Sequence, residues 1–497
     1  MVLLEEPIKS QVNLRNYVNG EWVEAETNVW RKIVNPATLK VIGKVPISGI
    51  RDLDKAVEAA AEAYPEWRKT PPVTRARYLY RLKNLMEERF EELSRICVME
   101  HGKVIDEARG ETRRAIENVE VASGIPSLMM GYNLEDIAKD IDEYVIRQPL
   151  GVFACIAPFN FPLMVPFWFM PYAVATGNTY IIKPSPWTPI SQTKIMELID
   201  EVGFPPGVVN MIHGDAEVVN AILKHPRISG VSFVGSTPIG RDIIYKEAAS
   251  HGKRVQAQCG AKNFIVVMPD TVVDQTVSSI ITSFFGSTGQ RCLSGANLVI
   301  VDEDEYFHKN MLEKIVDSAR RIRIGYGLDE ATQMGPMQSE DRKKRVVSYI
   351  EKGIEEGARL MLDGRDASII GGYPENCFIG ATIFDEVSPD MTIAKDEIFG
   401  PVMSVIRSRS LDEAIAMINK SNFGNAAAIF TSNGKMARKF QYEVECGNIG
   451  VNIGIAAPMA FFPFSGMKDS FFGDLHGQGL EAVRFFTESK VVIQRWF

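Results

Sequence analysis

The chain has 497 residues, 45% of them apolar and 24% charged, with a formal net charge of −8. This is ordinary globular composition, long enough for two or three cores, and the acidic balance without a basic run excludes a nucleic-acid partner. No apolar stretch reaches the roughly 18 residues of a membrane span, since the longest candidate, 161–182, is broken by Pro162, Pro166, Pro171 and Gly177. The opening MVLLEEPIKS carries early acidic residues and no apolar core, so it does not read as a signal peptide. Six scattered cysteines without a CxxC, and six histidines without an HExxH, predict reduced thiols, a cytoplasmic setting and no metal.

In chain order, Asn19-Gly20 between β-formers predicts a hairpin with a type I′ turn. Helical periodicity follows over 53–68, 76–101 and 104–128. Short apolar runs then alternate with amphipathic helices. The runs are 151–157, 179–183, 208–212 and 230–234, and the helices lie near 190–203, 215–224 and from 239 onward. Strand–helix–strand alternation predicts a parallel sheet with right-handed crossovers, the architecture of dinucleotide-binding domains. After Arg254 the pattern restarts with a strand at 264–268, a helix near 272–285, a Gly/Ser-rich loop, a strand at 297–301 and helices near 304–322 and 339–356. The β-rich end, FFTESKVVIQRWF, predicts an exposed strand able to pair with another subunit.

The loop GSTGQRCLSG (286–295) places Cys292 among glycines and serines and beside Arg291. Glycines let backbone amides approach a ligand, and a neighbouring cation raises the thiolate fraction of a cysteine. Cys97, Cys155 and Cys377 sit in core-like contexts instead.

GQRC (289–292) resembles the active-site signature of the aldehyde dehydrogenase superfamily, and other segments resemble that family in order along the chain. APFNFP (157–162) resembles its oxyanion segment, which implies that Asn160 and the Cys292 backbone N–H hold the developing alkoxide. EIFGP (397–401) resembles the nicotinamide-side motif, with Glu397 on the ribose and Phe399 against the ring. FVGST followed by Gly240 resembles the turn that meets the pyrophosphate. The resemblance implies a cofactor site built from Ala157, Pro158, Phe159, Lys183, Ser185, Gly214, Phe233, Gly235, Ser236, Glu397 and Phe399. It implies an α/β aldehyde dehydrogenase fold with a Rossmann-like cofactor domain (1–128 and 149–258), a second α/β catalytic domain (259–460) and a β-strand oligomerisation arm (129–148 and 478–497) of a dimer or tetramer.

Within the family, SLMMG (127–131), CIAPFNFP (155–162) and GKRVQAQCGAKN (252–263) resemble the methylmalonate- and malonate-semialdehyde dehydrogenases, which acylate coenzyme A. Arg114 and Arg291 match the positions where those enzymes hold the substrate carboxylate, a task suited to a planar guanidinium fork. The bland reading of Arg114 is a solvated helix face. Hydrolytic family members carry a glutamate that activates water; Gln258 stands there in this chain and cannot take a proton. The branch usually has asparagine at that point. The reading is a Cys292 thioester passed to coenzyme A, with loss of CO₂ from a β-carboxylate. Alternatives are a non-acylating, broad-specificity NADP-dependent enzyme that gives a carboxylic acid, and an inactive binding or structural relative. The family's KPSE motif reads here as Lys183-Pro-Ser-Pro186, so the glutamate that accepts from the adenosine ribose is missing and NADP is expected to serve as well as NAD. The apolar segment 167–170 and Phe461-Phe462 are expected to leave room for larger aldehydes.

Overall fold

Residues 3–303 and 305–497 are described by the computed structural model of the chain. Asn19 and Gly20 both take positive φ, 55° and 78°, and join Asn16–Val18 to Glu21–Val23 as an antiparallel hairpin. This is the geometry a type I′ turn requires. The hairpin extends an eight-stranded sheet whose five inner strands are parallel: Arg254–Gln258, Ile228–Val234, Val152–Ile156, Thr179–Lys183 and Val209–Met211. Val152–Ile156 and Thr179–Lys183 are buried at every position, as strands covered on both faces must be.

Arg254–Gln258 was not singled out in the sequence, because its alternating Arg, Gln and Gln hide a buried strand. Gln256 is accommodated by donating to the Ser232 hydroxyl at 2.9 Å on the neighbouring strand. The continuous helix expected over 76–101 is divided at Arg89, giving Pro72–Glu88 and Phe90–His101. No glycine or proline marks that break. The 104–128 helix likewise divides into Ile105–Ser123 and Ile125–Leu128.

A second sheet of seven strands runs in the order Arg359–Leu362, Thr382–Asp385, Val402–Ser408, Gly295–Val301, Asn263–Val267, Ala426–Phe430 and Asn448–Val451. Its strands are parallel apart from the Arg359–Leu362 edge. The chain then returns to the first unit, where Phe471–Gly473 pairs antiparallel with Arg254–Gln258. The helix Gly479–Phe485 follows it back, and Phe485 and Phe486 pack edge-on against Phe153.

A separate three-stranded sheet is formed by the C-terminus. The terminal strand Thr487–Arg495 pairs along its whole length with Ile141–Pro149, which in turn pairs with Asn133–Ala138. Val491 and Ile493 project from it and are exposed. Among the described residues no helix is long and apolar enough to cross a membrane, and no group of His, Cys, Asp and Glu could hold a metal ion.

Candidate active site

Two cavities meet at Cys292. One, of about 350 Å³, is lined by Pro158, Phe159, Asn160, Ser185, Trp187, Gly235, Ser236, Arg342, Arg345, Glu397 and Phe399. The other, of about 250 Å³, is lined by Glu107, Glu111, Arg114, Phe161, Trp168, Arg291, Phe464 and neighbouring residues. Cys292 belongs to the walls of both, so a group bound in either reaches the same sulfur.

The loop that carries Cys292 is held under strain. Ser287 and Thr288 take left-handed φ values of 47° and 55°, which a side chain disfavours. Glu107 stabilises the turn by accepting from the Ser287 N–H at 2.7 Å and its hydroxyl at 3.1 Å, and Thr288 donates to the Gly335 carbonyl at 2.8 Å. Beyond the turn, Asn263 and Asn425 both donate to the Cys292 carbonyl at 2.8 Å. The peptide after the nucleophile is therefore clamped from the first residue of the Asn263–Val267 strand and from the residue just before the Ala426–Phe430 strand.

Cys292 is half-buried, whereas Cys97, Cys155, Cys259, Cys377 and Cys446 are buried. Burial, and then the nearby Glu397 carboxylate, push its thiol up to about 12. The Cys292 and Leu293 amides and Arg291 oppose this. Glu397 is itself pushed up to about 7 by burial, against the Ala261 amide that donates to it at 2.8 Å, and against Arg345 and Lys262.

Asn160 is buried, and its amide donates to the Gln290 carbonyl at 3.1 Å, two residues before the nucleophile. A carboxamide has a second N–H for the cavity. The backbone behind Asn160 is fixed by a fully buried ion pair: Lys103 Nζ donates to Glu111 at 2.5 Å and to the Asn160 carbonyl at 2.7 Å. Glu111 also accepts from the Leu163 and Met164 amides at 2.9 and 3.1 Å. The sequence reading missed Lys103, Glu107 and Glu111. The two acids lie on a polar face of one helix, at 107, 111 and 114, which resembles a solvated stripe; Lys103 precedes that helix.

Both candidate carboxylate ligands line the smaller cavity with the nucleophile. Arg114 is ion-paired with Glu117 at 3.0 Å on its own helix and touches Met459. Arg291 is more constrained. Its Nη2 donates to Glu107 at 3.1 Å and to the Thr282 carbonyl at 3.2 Å, and its Nε donates to the Gly286 carbonyl at 3.0 Å.

Gln258 lines neither cavity. It is buried, donates to the Phe464 carbonyl at 3.3 Å, and its Oε1 has no hydrogen-bond partner among the described residues. The expected apolar wall also needs correction. Phe167, Phe169 and Met170 are fully buried core and Phe461-Phe462 are exposed; Trp168 and Phe464, stacked at 4.3 Å, are the rings that line the smaller cavity.

The larger cavity has the donor set for a dinucleotide. Phe399, forced to a φ of 60°, meets Phe159 edge-on at 5.9 Å and stands beside Glu397 near Cys292. Gly235, Ser236, Ser185 and Trp187 line the same cavity. Phe233 and Gly240 form the support behind, where a Cβ on Gly240 would lie 2.2 Å from the Cys259 sulfur. Ala157 carries on the parallel strand by donating to the Lys183 carbonyl at 3.0 Å. Lys183 is buried, and its Nζ donates to the Pro184 carbonyl at 2.9 Å and to the Gly214 carbonyl at 3.0 Å. Burial pushes this ammonium down to about 8. No acid occupies position 186, where Pro186 precedes Trp187.

Comparison with known proteins agrees with this geometry. Residues 22–492 match the model of the aldehyde dehydrogenase family. The chain is 50% identical over 485 residues to malonate-semialdehyde dehydrogenase 2 of Geobacillus kaustophilus, covering 97% of this chain and 99% of that one. It is 49% identical over 486 residues to malonate-semialdehyde dehydrogenase of Bacillus subtilis, covering 97% and 98%. Among solved structures, methylmalonate-semialdehyde dehydrogenase from Oceanimonas doudoroffii superposes with a TM-score of 0.94 at 38% identity, covering 98% of this chain and 99% of that one. A structure from Sinorhizobium meliloti described as a methylmalonate-semialdehyde dehydrogenase in complex with NAD gives 0.95 at 41% identity, again over 98% and 99%.

Proposed function

Because the chain belongs to the aldehyde dehydrogenase family, we propose that it oxidises malonate or methylmalonate semialdehyde and passes the acyl group to coenzyme A. One observation carries the substrate class: Arg114 and Arg291 line the cavity that holds Cys292. A guanidinium there would bind a carboxylate while the aldehyde carbon meets the sulfur.

The steps follow from the site. The Cys292 thiol releases its proton to solvent, and its sulfur bonds to the aldehyde carbon. The carbonyl electron pair moves to oxygen, which Asn160 Nδ2 and the Cys292 N–H stabilise. A bound nicotinamide dinucleotide supplies the acceptor for the hydride that leaves this carbon, and a thioester on Cys292 remains. Glu397 and Phe399 would hold the nicotinamide end of that dinucleotide, and Gly235, Ser236 and Ser185 the remainder. The coenzyme A thiolate then displaces Cys292 as the leaving thiolate. A β-carboxylate departs as CO₂, and the resulting carbanion takes a proton. Transfer to a thiol is supported by the absence of a water-activating acid from position 258, where Gln258 is an amide that lines neither cavity.

The cofactor reading is that NADP serves alongside NAD. With Pro186 in place of the glutamate, position 186 supplies no carboxylate to oppose a 2′-phosphate. The domain limits are read as 1–128 with 149–258 for the cofactor, 259–460 for catalysis, and 129–148 with 478–497 for assembly. A dimer or tetramer formed through the exposed edge of Thr487–Arg495, in the cytoplasm, completes the proposal.

The test is a panel of aldehydes with and without coenzyme A, in NAD and in NADP. Turnover that requires coenzyme A and favours β-carboxylate aldehydes is expected. Acid release without coenzyme A would replace the reading with a non-acylating enzyme, and strong discrimination against NADP would sink the cofactor reading. No reduced cofactor with any aldehyde would point to an inactive relative.

A further inference from the structure

Arg31 is a half-buried cation that forms no ion pair among the described residues. It stands on Trp30–Val34, the edge strand of a small three-stranded sheet, and its guanidinium lies over the Trp187 ring, 4.4 Å from the centroid. Trp187 lines the larger cavity and is 36% exposed. A guanidinium on an aromatic face is held in place by the ring while its in-plane N–H groups stay free for a phosphate. The indole thus sets a charged fork beside the cavity wall without neutralising it.

Trp187 belongs to the ligand edge of the eight-stranded sheet. Ser185 and Trp187 follow the strand Thr179–Lys183, and Gly235 and Ser236 follow Ile228–Val234, with Val152–Ile156 between those two strands. Open parallel sheets take ligands at these carboxyl ends. Glu397 and Phe399 come from the second unit and share the cavity with Cys292. A nicotinamide held there leaves the adenosine half to the walls that the eight-stranded sheet supplies. Position 186 falls between two of those wall residues, and the Pro186 side chain offers neither charge nor hydrogen bond. Electrostatics favour an anion at this place. Burial chiefly, and Arg31 in addition, push the Lys183 ammonium down, against Asp215 and Cys155. Arg31 and Lys183 therefore repel one another, and a phosphate monoester beside them relieves that repulsion where an uncharged ribose hydroxyl does not. Asp215 is the carboxylate of this group, and its Oδ1 is committed to the Glu217 N–H at 3.1 Å as the cap of the helix Ala216–Lys224.

We propose that Arg31, braced by Trp187, holds the 2′-phosphate of NADP at the adenosine ribose, and so sets the dinucleotide preference from a strand of a different sheet. This rests on the cofactor reading given above, that NADP serves alongside NAD. Pro186 removes an opponent of the 2′-phosphate, and Arg31 supplies a partner for it.

Direct binding to the full-length enzyme tests this without turnover. NADPH and NADH are titrated by their fluorescence against wild type, Arg31→Gln, Arg31→Lys and Arg31→Glu, with thermal unfolding as the check on folding. Calorimetry with 2′,5′-ADP, 3′,5′-ADP and 5′-AMP isolates the phosphate. Arg31→Gln is expected to weaken NADPH and 2′,5′-ADP about tenfold or more, the scale of one hydrogen bond to a charge, and to leave NADH and 5′-AMP within about twofold. Arg31→Lys should recover part of the loss, and Arg31→Glu should deepen it. Rising salt should erode NADPH affinity more in wild type than in Arg31→Gln. The loss should be smaller for 3′,5′-ADP, whose phosphate sits on the neighbouring hydroxyl. NADPH affinity unchanged in a folded Arg31→Gln, or lost no more than NADH affinity, overturns the role of Arg31 and leaves the cofactor reading standing. An equal loss with 2′,5′-ADP and 3′,5′-ADP also overturns it, because the contact would not be with the 2′ position. Wild type that binds NADH and not NADPH overturns the cofactor reading and this proposal together.

Discussion

Lys103 reaches the backbone carbonyl of Asn160 at 2.7 Å from inside a fully buried ion pair with Glu111. The oxyanion side chain is thereby tied to a buried charge network whose acid, Glu111, also belongs to the wall of the smaller cavity. Removing one member of a buried pair leaves the other uncompensated, at a cost of about 3–5 kcal/mol. Lys103→Met and Glu111→Gln should each lower the melting temperature, and Lys103→Met with Glu111→Leu should recover part of that loss. The double variant should still have a reduced kcat, because the Asn160 carbonyl has lost its anchor. A double variant with wild-type kcat would show that the pair is structural only. Asn160→Ala should lose about 10²–10³-fold in kcat.

Gly289 joins the nucleophile loop to the nicotinamide-side segment. Its φ is 69°, and a Cβ there would lie 2.3 Å from the Gly400 carbonyl oxygen. That atom is backbone and cannot swing away. Gly289→Ala should therefore displace Cys292 relative to Glu397 and Phe399, lowering both kcat and dinucleotide affinity. Gly434→Ala, where a Cβ meets nothing within 4 Å, is the control and should keep both. Wild-type kinetics in a folded Gly289→Ala would refute the packing argument.

The nucleophile predicts a definite pH response in the cofactor-free enzyme. With the thiol pushed up to about 12, inactivation by iodoacetamide should rise about tenfold per pH unit from pH 8 to 10 without a plateau. Glu397, pushed up to about 7, is neutral below that pH and ionised above it. Its new charge opposes the thiolate, so the slope should be shallower than tenfold near pH 7. Glu397→Gln removes that charge, and should raise the inactivation rate above pH 7 and straighten the profile. A plateau below pH 9 would mean a thiol far more acidic than this site allows.

The elements most legible in the sequence were those set by local rules. The Asn19-Gly20 turn, the fully apolar strands and the amphipathic helices follow from backbone preference and periodicity. Arg254–Gln258 was illegible because its polar residues are satisfied by a neighbouring strand, a tertiary fact. The candidate site divided in the same way. Cys292, Asn160, Glu397 and Phe399 stand in motifs read in order along the chain. Glu107, Glu111 and Arg342 lie on helices where charge normally means solvent, and only the packing of two units turns those faces inward. Gln258 was legible as a missing acid, but not as a side chain turned toward Phe464 and away from both cavities.

That orientation gives Gln258→Glu a clear expectation. The Nε2–H that meets the Phe464 carbonyl at 3.3 Å would become an oxygen facing an oxygen, in a place with no other donor for it. Leaving a buried polar group unsatisfied costs about 1–3 kcal/mol, and more for a charge. Burial would raise the new carboxyl above its unfolded value, so the variant should be least destabilised below about pH 4, near that unfolded value, and lose stability as pH rises through its folded value. Thermal unfolding from pH 5 to 8 measures the trend. Efficient acid release without coenzyme A in this variant would mean that the side chain reaches the thioester after all.

The two arginines of the smaller cavity should separate by substrate. Arg114 is one-third exposed and held by a single ion pair with Glu117, so a substrate carboxylate can replace that partner. Arg114→Leu should cost kcat/KM about ten- to hundredfold for a semialdehyde carrying a carboxylate, the scale of a hydrogen bond to a charge. It should leave a neutral aldehyde such as propanal nearly unaffected. Arg291 instead shares Glu107 with the strained Ser287 turn. Arg291→Leu should therefore loosen the Cys292 loop and lower kcat for both aldehydes. Equal losses for the two substrates in Arg114→Leu would remove it from carboxylate recognition, and a loss confined to the charged substrate in Arg291→Leu would make it a direct ligand with no share in holding the loop.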